Sequence, residues 1–184
     1  MSVDNNGTLI TLPSAPAGGV SSLNGTITFG IGTQSNNSLG SASVYTTSGS
    51  GSANGPGLLT VTYNGQTLDQ SFIDSGSAAY FFVDAAIPAC SDPNYTAYYC
   101  PSSLQQLPIT VVGANGKSTA LNIPLDNAQP MLSSTFSVLP NIGANPNVLA
   151  GAQTYPNSFD LGLPFFYGRT IYTCLLYTSD AADE

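Results

Sequence analysis

The residues best placed to do chemistry form one short run, Phe72-Ile73-Asp74-Ser75-Gly76-Ser77. Two apolar residues lead into an aspartate, and a Ser-Gly-Ser turn follows at once. A carboxylate at the end of an apolar strand is partly desolvated, which tunes it for exchanging protons with water or a substrate. The glycine admits backbone N–H groups close to the carboxylate, and the Ser75 and Ser77 hydroxyls can orient it. Asp-Ser-Gly is also an ordinary turn, since each of these residues favours turns for local reasons. Its setting decides between the two readings.

Other catalytic groups are scarce. The chain has no histidine, which removes the Ser-His-Asp triad, the Cys-His pair and every histidine-containing zinc site. The only glutamate is Glu184, so a paired-carboxylate glycosidase is poorly supported. Lys117 and Arg169 are the only basic residues against ten acids, which excludes a nucleic-acid footprint and a polybasic membrane patch. Asp4, Asp69, Asp84, Asp92, Asp126 and Asp160 read as turn and solvated-edge residues. Asp84 and Asp92 match no calcium-loop spacing, and no metal or cofactor is expected. The aromatic runs Tyr80-Phe81-Phe82 and Phe165-Phe166-Tyr167 read as core.

Only 7% of residues are charged, against roughly 25% in ordinary globular domains. Solubility therefore rests on Ser, Thr, Asn, Gln and Gly. Cys90 and Cys100, in a chain poor in lysine, read as one disulfide formed in an oxidising compartment; two buried thiols are the alternative. No apolar run approaches the roughly 18 residues needed to cross a bilayer. Met1 to Asn6 has neither a basic nor an apolar signal-peptide region, so an exported protein (periplasmic, outer-membrane lipoprotein or extracellular) would carry its signal elsewhere. Residues 174–184 hold three of the ten acids and resemble a translated sequencing-library adapter. They are read as a non-native tail, which leaves residues 1–173 as one domain cut at both ends.

The elements that must position Asp74 are short and β-rich. Asn-Gly, a strong hairpin signal, occurs five times, at Asn6, Asn24, Asn54, Asn64 and Asn115. Strands are expected at Leu9 to Leu12, Thr26 to Ile31 and Ser43 to Thr46, with a Ser/Gly-rich loop from Thr47 to Gly57. Leu58 to Tyr63 pairs across Asn64-Gly65 with Gln66 to Ile73, a hairpin that delivers Asp74 at its end. Ala78 to Val83 reads as a buried strand, and Pro101 to Gln106 as a helical turn. Pro108 to Val112 and Ser118 to Ile123 form a second hairpin, followed by a strand from Phe136 to Leu139 and a loop from Asn141 to Pro156. The last stretch is a strand reaching Gly162, a short helical turn begun by Pro164, and a strand ending near Thr173.

At this point the pattern resembles the pepsin-like aspartic peptidases. Each lobe of those enzymes carries two apolar residues before Asp-Thr/Ser-Gly-Ser/Thr, and later an apolar pair plus glycine behind the aspartate. Phe72-Ile73-Asp74-Ser75-Gly76-Ser77 matches the first element. Asp160-Leu161-Gly162, followed by Leu163 to Tyr172, is similar to the second, although Asp160 stands where the family has an apolar residue. The resemblance covers roughly Leu58 to Tyr172 and is chiefly to the C-terminal lobe. The chain also resembles an uncharacterised family of bacterial secreted or lipid-anchored proteins with the same Asp-Ser-Gly-Ser and Gly-Leu-Pro-Phe-Phe-Tyr-Gly-Arg signatures.

The resemblance implies a mostly β, pepsin-like lobe of a bilobal protein, with Asp74 as one of two catalytic aspartates. Ser75 would join the lobes through a hydroxyl hydrogen bond, Ser77 would orient the outer carboxylate oxygen, and Gly162 would pack behind the turn. Only one Asp-Ser/Thr-Gly is present. The partner aspartate would come from an N-terminal lobe of the same chain or from a second copy in a symmetric dimer. The substrate would be polypeptide, and the piece alone would be inactive. Two rivals stay open: a pepsin-like cell-surface binding or assembly module without catalysis, and an unrelated β-sandwich adhesin.

Overall fold

A computed structural model of the chain describes residues 3–49, 55–149, 151, 155 and 157–174. The described chain is mostly β. Its strands are β1 (Gly7–Leu12), β2 (Thr26–Phe29), β3 (Leu59–Tyr63), β4 (Gln66–Ile73), β5 (Tyr80–Phe81), β6 (Gln105–Val112), β7 (Ser118–Leu125), β8 (Gly143–Ala144), β9 (Asp160–Leu161) and β10 (Arg169–Cys174). Two short helices, α1 (Ala128–Leu132) and α2 (Pro146–Leu149), lie either side of β8, and 3-10 turns form at Ser35–Asn37 and Leu163–Phe166.

Two sheets result. One is three-stranded in the order β10-β1-β2, and the other seven-stranded in the order β7-β6-β3-β4-β9-β5-β8. The β3–β4 hairpin turns at Asn64-Gly65, where both residues have positive φ (48° and 74°), as a type I′ turn requires. The β6–β7 hairpin forms across Asn115-Gly116, with eight paired positions from Gln105↔Leu125 to Val112↔Ser118. Strand β9 is inserted between β4 and β5. It runs parallel to β4 (Phe72↔Asp160, Ile73↔Leu161) and antiparallel to β5 (Phe81↔Asp160).

The period-two alternation of the hairpins sends Val61, Tyr63, Leu107, Ile109, Val111, Ile123 and Leu125 into one core with Phe82, Phe159 and Leu161. Phe82 and Phe159 stack with centroids 4.6 Å apart, and Tyr63 meets both rings edge-on. A smaller buried cluster joins Ala79, Cys90, Ala128, Met131 and Ile142. Cys90 and Cys100 form a disulfide. Among the described residues no helix is long and apolar enough to cross a membrane.

Four expectations need correction. Ser43 to Thr46 is not a strand: the Val44 and Thr46 carbonyls accept from Asn115 Nδ2 and the Ala114 N–H, leaving no ladder. Phe136 to Leu139 makes only an isolated bridge, Val138 to Val20, with Phe136 exposed. The aromatic run after the Asp74 turn contributes only Tyr80–Phe81 to a ladder. Pro101 to Gln106 is not helical; strand β6 begins at Gln105, where alternate burial of Leu107, Ile109 and Val111 takes over. Asn54, part of the 47–57 loop and residues 175–184 of the supposed tail lie outside the described residues, while Cys174 ends β10.

Candidate functional site

Strand β4 ends where its hydrogen bonds pass to β9. The Phe72 N–H donates to the Phe159 carbonyl at 3.4 Å and the Asp74 N–H to that of Leu161 at 3.2 Å. Upstream, the fully buried Ser71 hydroxyl donates to the Leu68 carbonyl at 2.9 Å and accepts from the Phe159 N–H at 2.9 Å. This one side chain stitches the strand carrying Asp74 to the segment entering β9.

The carboxylate of Asp74 is held on both oxygens. The Gly76 N–H donates to Oδ1 at 2.7 Å, and the Ser77 hydroxyl donates to Oδ2 at 2.9 Å. A Cβ on Gly76 would stand 3.1 Å from Asp74 Oδ1, so a side chain there would crowd the carboxylate. Ser75 is exposed at the tip of the turn, and Asp74 itself is half-buried. The result is a preoriented carboxylate with an open side.

Gly162 is buried behind this turn. A Cβ on it would fall 2.1 Å from the Ala79 carbonyl oxygen and 2.7 Å from that of Ser77. The Leu163 N–H donates to the same Ser77 carbonyl at 2.7 Å, fixing the end of β9 to the turn. Sequence reasoning thus brings together Asp74, Gly76, Ser77 and Gly162. Cys90 and Cys100 lie in the neighbouring loop, with Cys90 buried beside Ala79 in the smaller cluster.

The residue that sequence reasoning misplaced is Asp160. It is not a solvated-edge residue: it is 5% exposed, on β9 opposite Phe72 and Phe81. Burial pushes its carboxyl up from 3.8 to about 7; the Ser77 hydroxyl works against that rise, and the charge of Asp74 adds to it. Ser77 has one hydroxyl proton, and it is directed to Asp74. Asp160 Oδ1 has no hydrogen-bond partner among the described residues. The signal was present in the sequence: an aspartate between Phe159 and Leu161 repeats the apolar-strand setting of Asp74.

Chemically, the arrangement presents one oriented carboxylate at the surface and a second, proton-holding carboxyl beneath it. Asp84 is used differently: its carboxylate accepts from the Tyr63 hydroxyl at 2.6 Å, Asn64 Nδ2 at 3.0 Å and the Ala86 N–H at 2.8 Å. Among the described residues no group of three or more acidic, cysteine or histidine side chains is placed to hold a metal ion.

A family model described as "Protein of unknown function (DUF3443)" matches residues 1–183. No curated protein and no solved structure matches the chain.

Proposed function

For this chain, which belongs to the DUF3443 family, we propose the role of one lobe of an exported bacterial aspartic-endopeptidase-like protein, with Asp74 as one half of a water-activating aspartate pair. The observation that carries the reading is the fixed carboxylate of Asp74, held by the Gly76 N–H and the Ser77 hydroxyl at the open end of a parallel strand pair. Such preorganisation is what acid–base catalysis on a bound amide needs. The disulfide is compatible with export.

The partner carboxyl comes from a second lobe or a second copy of the chain. Two carboxyls about 3 Å apart share one proton, because both cannot be ionised together. The ionised member takes a proton from water as its oxygen adds to the amide carbon. The protonated member gives its proton to the carbonyl oxygen. The resulting diol collapses, the C–N bond breaks and the amine leaves with a proton. Asp160 is too deeply buried to face that water; it holds its proton beneath the turn and keeps a second negative charge away from Asp74.

Cleavage of a quenched peptide library at acid pH tests the reading, using the full-length protein and residues 1–174 in parallel. Turnover by the full-length protein and none by the single lobe is expected. Turnover by neither favours the binding-module reading of the same fold, and turnover by the single lobe contradicts the two-lobe dyad.

A further inference from the structure

A groove of about 350 Å³ is walled by Phe72, Phe81, Pro146, Leu149, Tyr155 and Ser158, with Asp160 among its lining residues. That volume lies at the small end of ordinary ligand sites, which combine apolar walls with a few convergent polar groups. This groove has largely apolar walls, one carboxyl and the Ser158 hydroxyl, which donates to the Tyr155 carbonyl at 3.4 Å. Asp160 Oδ1 is buried and has no partner among the described residues, a costly state for an acceptor unless something arrives to donate to it.

We propose that this groove binds an alkylammonium or guanidinium group on an apolar stem, the form of a lysine or arginine side chain. The stem of such a side chain buries against aromatic and aliphatic walls, while its head supplies the donors and positive charge that Asp160 lacks. The charge balance points the same way. The chain carries ten acids against two bases, so its field favours cations, and among the described residues no internal cation pairs with Asp160. A neutral apolar side chain would fit the walls and leave the acceptor unmet. An anion would be repelled by the Asp160 carboxylate.

As an amine-binding site the groove does not rest on the aspartic-peptidase reading. The test therefore uses probes with no bond to cleave. n-Pentylamine and n-pentanol, which share a stem, are titrated into the chain at pH 8 and followed by amide chemical shifts. Phe72, Phe81, Tyr155, Ser158 and Asp160 line the groove, so their amide resonances report the site.

The amine should bind at least tenfold more tightly than the alcohol, with shifts centred on residues 72, 81 and 160. Asp160→Asn should abolish that preference. Should Asp160→Asn fail to fold, Leu149→Arg at the exposed rim sets a competing cation over the groove and should weaken amine binding at least tenfold. Equal binding of amine and alcohol, an amine preference that survives Asp160→Asn, or amine binding unchanged by Leu149→Arg would each overturn the proposal. Failure to cleave peptides while amine binding holds would count against the peptidase reading alone.

Discussion

Asp74 and Asp160 are linked through one serine: the Ser77 hydroxyl donates to Asp74 Oδ2 at 2.9 Å and also bears on the Asp160 carboxyl. Asp160 lies on β9 and Asp74 directly follows β4, its parallel neighbour; Asp74 is half-exposed and hydrogen-bonded on both oxygens, Asp160 buried with one oxygen unmet. The same residue type thus meets two environments on neighbouring segments, and burial raises the proton affinity of Asp160.

Folding raises Asp160 from 3.8 to about 7, so between those values the native state holds a proton that the unfolded chain has released. Stability supplied by the neutral carboxyl is complete below about pH 4 and is lost as pH rises to about 7. The whole change is on the order of 4 kcal/mol. Urea denaturation of the chain and of Asp160→Asn at pH 5 and pH 8 measures it. The variant should gain relative to the parent at pH 8; a parent-minus-variant difference that does not change with pH would contradict the assignment.

Gly162→Ala should destabilise the fold by about 1–3 kcal/mol or more, because its methyl meets two backbone carbonyl oxygens rather than yielding side chains. Gly18→Ala, with open space around it, is the control and should shift stability little. Chemical denaturation midpoints of the two variants decide the matter, and equal midpoints would show that β9 can move away from the turn.

Ser71→Ala should cost about 1–3 kcal/mol, since it leaves the buried Phe159 N–H without its acceptor. Hydrogen exchange should show the Phe159 amide losing protection in the variant. Unchanged protection there would mean that another acceptor replaces Ser71.

Reduction of Cys90–Cys100, or the double replacement by serine, should lower stability by about 2–3 kcal/mol in the chain-entropy view of a short loop. Thermal melting with and without reductant reads this directly. The serine double variant should melt with the reduced protein and ignore the reductant.

Much of this frame was legible in the chain. Asn64-Gly65 and Asn115-Gly116 announce two hairpins, and the alternation around Val61 and Ile109 says which faces are buried. Asp74 at a strand end and Gly162 behind it follow from local pattern. What stayed hidden depends on pairing between distant segments. Ser43 to Thr46 and Phe136 to Leu139 have strand-like composition, yet neither finds a ladder, since β propensity is realised only where a neighbour supplies hydrogen bonds. The apolar neighbours Phe159 and Leu161 hint at the burial of Asp160, but its completeness comes from insertion of β9 between β4 and β5, which no local window contains.

The central claim is that the Asp74 carboxylate reacts. Its most direct test is the ratio of kcat/KM for one cleaved peptide, at acid pH, between the full-length protein and its Asp74→Asn variant. The side chain keeps its shape but no longer takes a proton from water, so a loss of about 10²–10⁴-fold is expected with folding intact. Equal rates for the two proteins would contradict the account.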